Sequence, residues 1–375
     1  MTHSSKTQPE LTIVMPVRNE AAHILGVLEQ VFDQTLDRTR YEVLVVDGFS
    51  EDGTRDLVRS FSVDHPNVYL LDNPGFISGI ARNIGVHHAA APYVLFIDGH
   101  CRLESPELLA ASLAAFQRGE RCLSRPQPLA AEEGSRFQTA VSLARSSFLG
   151  HQVGSQIFAD RDHHCNPLSA GCGYTRDLYL ALGGIDEQFD AGEDLEFNLR
   201  VHKAGIEALH SPLFSLSYMP RSSWKALFRQ LYRYGYGRAL MARKHPHTTS
   251  PLAVMLGLMS LGLALLPVIG AMWTPALVLW IALAMSYTTG SLVLGAWQTR
   301  GRGDMDLALQ VASCFPAIHL GAGLGYMSGL VGGFAWRHTP SRAERQRIAA
   351  ESARKAREAS TTGAGADSGT GRFLS

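Results

Sequence analysis

The chain carries few charges for its length, and one long stretch carries none. Of its 375 residues only 18% are charged, whereas 46% are hydrophobic, which is enough for a large core and more besides. The formal net charge is zero, so no overall field favours a nucleic acid or an acidic polymer as partner. A mainly disordered chain is excluded, and any charged partner has to be bound locally.

Cysteine is also scarce, and its spacing does not indicate a disulfide or zinc framework. The five cysteines are an odd number and include no C-x-x-C pair, which favours a reducing compartment. His163, His164, Cys165 and Cys172 are the only soft-metal candidates, and we interpret them as a loop with buried thiols. The N-terminal MTHSSKTQPE lacks the apolar stretch of a secretory signal, which predicts that the first domain stays in the cytoplasm.

The absence of Lys, Arg, Asp and Glu from residues 246–299 predicts a membrane domain. The stretch is long enough for two crossings of about twenty residues each. We predict helices at residues 252–272 and 276–297, and a third uncharged segment follows at residues 307–336. A buried pair of core helices would need amphipathic partners, and a transporter would need charged residues within the spans. The sequence has neither.

The charges around the third segment leave its orientation open. Basic residues precede the first span and follow the second, so both flanks are predicted to be cytoplasmic. A third full crossing would export the basic tail, so either the segment is re-entrant or interfacial or the tail departs from this tendency. Its glycines predict close helix packing and not a nucleotide-binding loop, because no strand precedes them. They are Gly321, Gly323, Gly325 and Gly329.

The first third of the chain alternates β-rich runs with helical patterns. LTIVMPV, YEVLVVD, NVYLL and APYVLFID predict four strands, and a helix is predicted after each of the first three. Such alternation is typical of a parallel sheet with helices on both faces. We therefore predict an α/β fold with a doubly wound, Rossmann-like sheet.

Three carboxylates stand out because each lies at the edge of an apolar segment. Asp47 and Asp98 follow predicted strands, and ligands bind at the carboxyl ends of such strands. Asp194, preceded by Glu193, begins a helix in GEDLEFNLR. Each alone is also typical of a strand terminator or a helix start. Their order beside a membrane-length run indicates an enzyme that handles a charged, activated substrate at a bilayer.

These segments together resemble a family 2 glycosyltransferase of the GT-A nucleotide-diphospho-sugar transferase fold, most closely the ExoA-like branch of succinoglycan biosynthesis. The resemblance covers about residues 10–335. IVMPVRNE is similar to the family's first strand and turn, and VVDGFSEDGT to its VVDDGSxDGT motif, from which Gly48 and Phe49 depart. GFISGIARNIG resembles the family's Ala-Arg-Asn helix, IDGH its Asp-x-Asp motif, and GEDLEFNLR its Glu-Asp helix.

The resemblance implies a nucleotide-sugar site. Asp47 would accept a hydrogen bond from a uracil-like base, and Arg82 would approach the diphosphate with its planar donor fork. Gln230-Leu-Tyr-Arg233-Tyr resembles the Gln-x-x-Arg-Trp signature, whose arginine would hold a phosphate oxygen. The same segment also suits an amphipathic interfacial helix, through Trp224, Leu227, Phe228, Leu231 and Tyr232. The donor-binding residues implied in all are Pro16, Glu20, Asp47, Arg82, Asp98, Gln230 and Arg233.

The resemblance also implies the catalytic and metal-binding residues. Asp194 would be the general base for the acceptor hydroxyl, with Glu193 beside it. Asp98 would bind Mg²⁺ or Mn²⁺, and His100 stands where the family has its second aspartate. Mn²⁺ tolerates an imidazole ligand better than Mg²⁺ does.

The implied divisions of the chain follow the motifs. They are a disordered N-terminus (1–10), a nucleotide-sugar-binding half (11–125), an acceptor-binding half (126–220), an amphipathic interfacial segment (221–245), a membrane domain of two to three transmembrane segments (246–336) and a basic, largely disordered tail (337–375).

The implied function is inverting transfer of a hexose from a UDP-sugar to a lipid-linked or membrane-proximal glycan acceptor in surface polysaccharide biosynthesis. The protein would be a multi-pass plasma-membrane protein with a cytoplasmic catalytic domain, and a polysaccharide assembly complex is a candidate partner. Two alternatives stay open. One is a polyprenyl-phosphate sugar synthase, and the other is a non-catalytic scaffold subunit, which only the histidine at position 100 favours.

Overall fold

A computed structural model describes residues 8–130, 134–148, 150 and 159–332 of the chain. The predicted tail, and all but the last three residues of the predicted N-terminal segment, lie outside these residues. The basic residues of the tail, which bear on the orientation of the third apolar segment, therefore also lie outside the described residues.

The part of the chain up to Tyr218, called the catalytic half after the role that its motifs imply, is built on one eight-stranded sheet with the order β3-β2-β1-β4-β8-β6-β9-β7. Strands β1 to β4 run parallel, whereas β8 pairs antiparallel with both β4 and β6. The strands are β1 Leu11–Val17, β2 Tyr41–Asp47, β3 Val68–Asp72, β4 Tyr93–Phe96, β5 Cys101–Leu103, β6 Cys122–Ser124, β7 His163–Cys165, β8 Gly171–Thr175, β9 Ala208–His210 and β10 Leu216–Tyr218. The predicted α/β sheet is confirmed, with a mixed second half.

Apolar side chains on both faces hold this sheet between helices. Every residue of β1 and of β2 is buried, as expected of strands covered on two sides. Ile24, Val27, Leu28 and Val31 of α1 pack on one face, and Ala81 and Val86 of α3 pack on the other. The helices of this half are α1 Ile24–Phe32, α2 Thr54–Asp64, α3 Ser78–His88, α4 Leu108–Gln117, α5 Arg136–Ser146, α6 Arg176–Ala181 and α7 Glu193–Lys203.

A second, two-stranded sheet connects the end of the catalytic half to its centre. Strand β10 pairs antiparallel with β5, so that Tyr218 lies opposite Cys101. Cys101 follows Asp98 closely in the chain, and the pairing therefore brings a residue from position 218 next to the end of β4.

Four long helices follow: α8 Trp224–Lys244, α9 Pro251–Gly270, α10 Thr274–Gln298 and α11 Met305–Leu330. The last three are long and apolar enough to cross a membrane, with mean hydropathies of 2.4, 1.8 and 1.5 in their most apolar windows. Helices α9 and α10 correspond to the helices predicted at residues 252–272 and 276–297. Their windows are only 17% and 6% buried, so most of their side chains face outward.

Helix α11 differs because 61% of its apolar window is buried inside the protein. It is one continuous helix despite Pro316, and no re-entrant loop interrupts it. It packs against α8, α9, α10 and the catalytic-half helix α5. Leu227 and Leu231 of α8 are buried against it, so these two apolar residues contact a helix and are not available to a membrane surface.

Candidate active site

A cavity of about 270 Å³ lies at the carboxyl edge of the main sheet. It is bounded by the end of β4, the start of β8, the N-terminus of α7, α5 and the segment that leads into α8. Its polar lining residues are Arg82, Asp98, His100, Arg125, Gln127, Arg145, Tyr174, Asp194, Tyr218, Arg221, Gln230 and Tyr234. Five residues implied by the sequence motifs therefore meet here: Arg82, Asp98, His100, Asp194 and Gln230.

Asp98 is the most heavily contacted carboxylate of the cavity. Its Oδ1 accepts a hydrogen bond from Arg82 Nη2 (3.2 Å), and its Oδ2 accepts one from the Tyr218 hydroxyl (2.8 Å). Burial by itself would raise the pKa of Asp98, but the charge of Arg82, followed by those of His100 and Arg125, holds that pKa below its usual range. Asp98 is therefore ionised at neutral pH.

His100, in the IDGH segment, is held by Glu20, the last residue of the IVMPVRNE motif. Its Nδ1 lies 2.8 Å from Glu20 Oε1. This hydrogen bond, opposed by burial, raises the pKa of His100. A carboxylate can only accept, so Nδ1 carries the proton and Nε2 is the nitrogen left to bind another group.

Asp98 and His100 fit a divalent cation that is shared with a diphosphate. Among the residues that the structure describes, no three His, Cys, Asp or Glu side chains gather as a closed metal cage. Mg²⁺ and Mn²⁺ in phosphate sites use one or two protein ligands and take the rest from phosphate oxygens and water. The hydrogen bond from His100 to Glu20 is also the kind of contact that orients a metal-binding imidazole.

Arg82 ties two acidic groups together across the cavity edge. Besides Asp98, its guanidinium contacts Glu193 Oε1 through Nη1 at 3.0 Å. The same Glu193 oxygen accepts a hydrogen bond from the Ser78 hydroxyl at 2.7 Å. Glu193 thus anchors the start of α7 to α3 and is not a lining residue of the cavity.

Asp194 has the opposite environment. Its side chain accepts a hydrogen bond from the backbone N–H of Leu195 (2.8 Å), makes no other among the described residues, and opens into the cavity. Because it lies deep among protein atoms and next to the negative charge of Glu193, the pKa of Asp194 is raised, although Arg82 opposes this. A carboxylate with a raised pKa and a free oxygen has the properties of a general base.

Asp47 is placed at the end of β2, as its motif implies, but its carboxylate is fully engaged. It is buried, accepts from the Ser50 N–H (3.0 Å) and hydroxyl (2.5 Å), and pairs with Arg55 Nη1 at 2.9 Å. Phe49, which stands where the family motif has glycine, adopts a left-handed backbone with φ of 56°. Its ring lies 5.4 Å from that of Phe76.

Three other residues implied by the motifs do not line the cavity. Pro16 is buried within β1, and Glu20 acts through His100. Arg233 donates from Nη2 to the backbone oxygen of Asp190 (2.7 Å) and so holds the segment that precedes α7. Whether any of these residues contacts the donor stays a prediction.

The cavity also contains arginines that sequence reasoning missed. Arg125 follows β6, Arg145 lies on α5, and Arg221 follows β10. The position of Arg125 after a short strand was the only available signal, because no pattern around Arg145 or Arg221 predicts a binding role. Tyr218 was missed for the same reason, since only the pairing of β5 with β10 brings it to Asp98.

Comparison with known proteins gives consistent matches. Residues 12–170 match the profile of Glycosyl transferase family 2. The succinoglycan biosynthesis protein ExoA of Rhizobium meliloti is 29% identical over 313 residues, which cover 80% of this chain and 89% of that protein. A dolichyl N-acetyl-alpha-D-glucosaminyl phosphate 3-beta-D-2,3-diacetamido-2,3-dideoxy-beta-D-glucuronosyltransferase of Methanococcus voltae is 26% identical, over 62% of this chain and 74% of that protein.

The fold matches a solved glycosyltransferase. The mannosyltransferase PcManGT from Pyrobaculum calidifontis, determined in complex with GDP-Man and Mn²⁺, superposes with a TM-score of 0.54 over 83% of this chain and 87% of that chain, at 18% identity. Residues 12–170 therefore match glycosyl transferase family 2, in a chain that is similar to ExoA, has the fold of a solved glycosyltransferase and continues into three long apolar helices.

Proposed function

We propose that this protein transfers a hexose from a UDP-sugar, with inversion, to a lipid-linked or membrane-proximal glycan acceptor in the assembly of a surface polysaccharide. The observation that carries the proposal is a single cavity in which Asp98 with Arg82 faces Asp194, beside helices apolar enough to cross a membrane. The similarity to ExoA supports a role in polysaccharide synthesis.

Arg82 and Asp98 would form the donor side of this reaction. The Arg82 guanidinium presents a planar fork that matches phosphate oxygens, and it is fixed by Asp98 and Glu193 before any ligand binds. Such a prearranged cation stabilises the charge that develops on the departing diphosphate. Asp98 and His100 would hold Mg²⁺ or Mn²⁺, which when bound adds further charge neutralisation to the leaving group.

Asp194 would act on the acceptor side. Its carboxylate would accept the proton of the acceptor hydroxyl while that oxygen bonds to the anomeric carbon and the bond from this carbon to the diphosphate oxygen breaks. A raised pKa makes Asp194 a better proton acceptor than an ordinary aspartate. Gln230, which its motif assigns to donor binding, also lines the cavity and donates a hydrogen bond to the Tyr234 hydroxyl at 3.1 Å.

The test is release of nucleoside diphosphate by the detergent-solubilised full chain from a panel of UDP- and GDP-sugars. Each donor is tried with Mn²⁺, Mg²⁺ or EDTA, for the wild type, Asp98→Ala, Asp194→Asn and the control Asp64→Asn, which changes an exposed aspartate at the end of α2. We expect metal-dependent release from one UDP-sugar, reduced about a hundredfold or more by the first two substitutions.

Two results would contradict the proposal. Folded wild-type protein that releases nothing from any donor would favour a scaffold role, and full activity in Asp194→Asn would remove that residue as the base. Analysis of the product also distinguishes the acceptor, because transfer to a polyprenyl phosphate leaves a sugar linked to lipid through one phosphate.

A further inference from the structure

Besides Arg82, which is proposed to bind the donor diphosphate, the cavity is lined by three further arginines: Arg125, Arg145 and Arg221. Arg82 is already paired with Asp98 and Glu193. Arg145 and Arg221 also line the cavity, and neither makes a hydrogen bond or an ion pair with another described residue. A lone guanidinium that faces a cavity is suited to an anion, so these two arginines are available to an anion besides the donor diphosphate that Arg82 would hold.

Arg125 adds a buried cation to the cavity, close enough to Asp98 to lower the pKa of that carboxyl group. Its side chain is only 4% exposed, and Nη1 donates to the backbone oxygen of Phe96 at 2.8 Å. Its buried Nε, like that of Arg145, has no hydrogen-bond partner within the described part of the chain. A buried N–H without an acceptor costs free energy, so these groups are suited to an anionic ligand that would accept from them.

The helix that carries Arg145 also forms the boundary with the apolar helices. Ala140, Val141 and Ala144 of α5 pack against α11, and Val141 lines the cavity as well. One helix therefore places an arginine in the cavity and an apolar face against a helix that is apolar enough to cross a membrane.

Exposed apolar side chains lie close in sequence to Arg145 and to Arg221. Phe148, three residues after Arg145, is 77% exposed, and Met219, two residues before Arg221, is 44% exposed and lines the cavity. A free phosphate compound gives no reason for such exposure, whereas an acyl or prenyl chain does.

We propose that Arg145, Arg221 and Arg125 bind the phosphate or diphosphate of a lipid-linked acceptor, with its hydrocarbon chain leaving the cavity past Phe148 and Met219. The inference rests on the proposed function, which it deepens by naming the acceptor's chemical class and the residues that hold it. The acceptor phosphate would then share one cavity with Arg82 and Asp194.

The test measures equilibrium binding to the detergent-solubilised full chain with three probes: farnesyl diphosphate, farnesol and inorganic diphosphate. UDP binding is measured in parallel. The variants are Arg145→Gln, Arg221→Gln and the pair combined, and Arg118→Gln, an exposed arginine after α4, is the matched control. Arg125 is left intact because it also supports the backbone at Phe96.

We expect the wild type to bind farnesyl diphosphate at least about tenfold more tightly than farnesol, and the double variant to lose about tenfold or more of that affinity. UDP affinity should stay within about twofold in every variant. Equal binding of farnesol and farnesyl diphosphate, or unchanged binding by the double variant, would overturn the inference.

Two further outcomes assign the ligand differently. If inorganic diphosphate binds as tightly as farnesyl diphosphate, the lipid assignment is wrong, and if UDP affinity falls in parallel, the arginines belong to the donor site. Failure of the proposed function is a separate result, because wild-type protein would then bind farnesyl diphosphate but neither bind UDP nor turn over a nucleotide sugar.

Discussion

Two adjacent acidic residues at the start of α7 have different surroundings. Glu193 is buried and fixed by Ser78 and Arg82, whereas Asp194 faces the cavity with a raised pKa. The difference follows from helix geometry, because neighbouring helix residues point about 100° apart. One carboxylate therefore orients the helix and Arg82, and the other is available for the proton transfer proposed above.

This division predicts a change in pH dependence for Glu193→Gln. An active Asp194 must be deprotonated, so activity falls as pH drops through its pKa, which the charge of Glu193 raises. Removing that charge should move the acidic limb of the kcat/KM profile to lower pH. The maximal rate should also fall, because Arg82 loses one of its two anchors.

The control for this profile is Glu29→Gln, which changes an exposed carboxylate on α1. Glu29→Gln should leave the acidic limb of the kcat/KM profile at the same pH as in the wild type. An unmoved or upward-shifted limb in Glu193→Gln would show that Glu193 does not set the pKa of the catalytic group.

At the scale of single residues, the sequence indicated the acidic residues of the cavity better than the basic ones. Asp98 and Asp194 were found because strand ends and helix starts have recognisable patterns. Arg145 and Arg221 were not found, because their placement depends on how α5 and the segment after β10 pack across more than seventy residues of chain. The engagement of Asp47 by Arg55 likewise depends on the packing of α2 on the sheet edge.

At the scale of elements, α11 is the helix around which the apolar helices are arranged. Its glycines let other backbones approach closely, as their spacing predicted. A Cβ on Gly325 would lie 2.0 Å from the backbone oxygen of Tyr232 in α8, and one on Gly323 would lie 2.2 Å from that of Leu256 in α9. Neither neighbour is a side chain that can rotate away.

Gly325→Ala should therefore force α8 and α11 apart. Overpacking of this kind costs about 1–3 kcal/mol, and the midpoint of thermal unfolding in detergent should fall by several degrees. Gly290→Ala in α10 is the matched control, because a Cβ there meets nothing within 4 Å. An equally stable Gly325→Ala protein would contradict the close approach of the two helices.

The sequence predicted the apolar helices but not their unequal roles. All three segments lack charge, so composition alone makes them equivalent. What distinguishes α11 is its burial against α5 and α8, which depends on where the catalytic half places those helices. For the same reason, the apolar side of α8 was open to interpretation as a membrane surface before its contact with α11 was known.

At the scale of the whole molecule, α8 connects α11 to the start of α7, where Asp194 lies. Gly237 of α8 lies against the backbone of Ala191, three residues before Asp194, where a Cβ would be 2.3 Å from the carbonyl oxygen. Arg233 holds the carbonyl of Asp190, and Arg243 donates to the carbonyl of Gly329 in α11. A displacement of α11 would therefore be transmitted to the N-terminus of α7.

The end of α8 is joined to α7 through one buried carboxylate. Glu196 is fully buried and accepts from Arg200 (2.7 Å), Lys244 (2.7 Å) and His245 (3.1 Å). Burial opposes its ionisation, but the hydrogen bonds from Arg200, Lys244 and His245 lower the pKa of Glu196 to about 2. Its charge therefore stabilises the folded protein over the whole neutral range.

Glu196→Gln should destabilise the protein in a pH-dependent manner. A carboxyl group with a pKa lowered from 4.5 to about 2 contributes about 3 kcal/mol at neutral pH. That contribution is complete above pH 4.5 and is lost as pH falls towards 2. The difference in thermal midpoint between wild type and Glu196→Gln should thus be largest near pH 7 and shrink between pH 4.5 and 3. A difference that stays constant with pH would mean that the loss reflects packing and not the charge that joins α7 to α8.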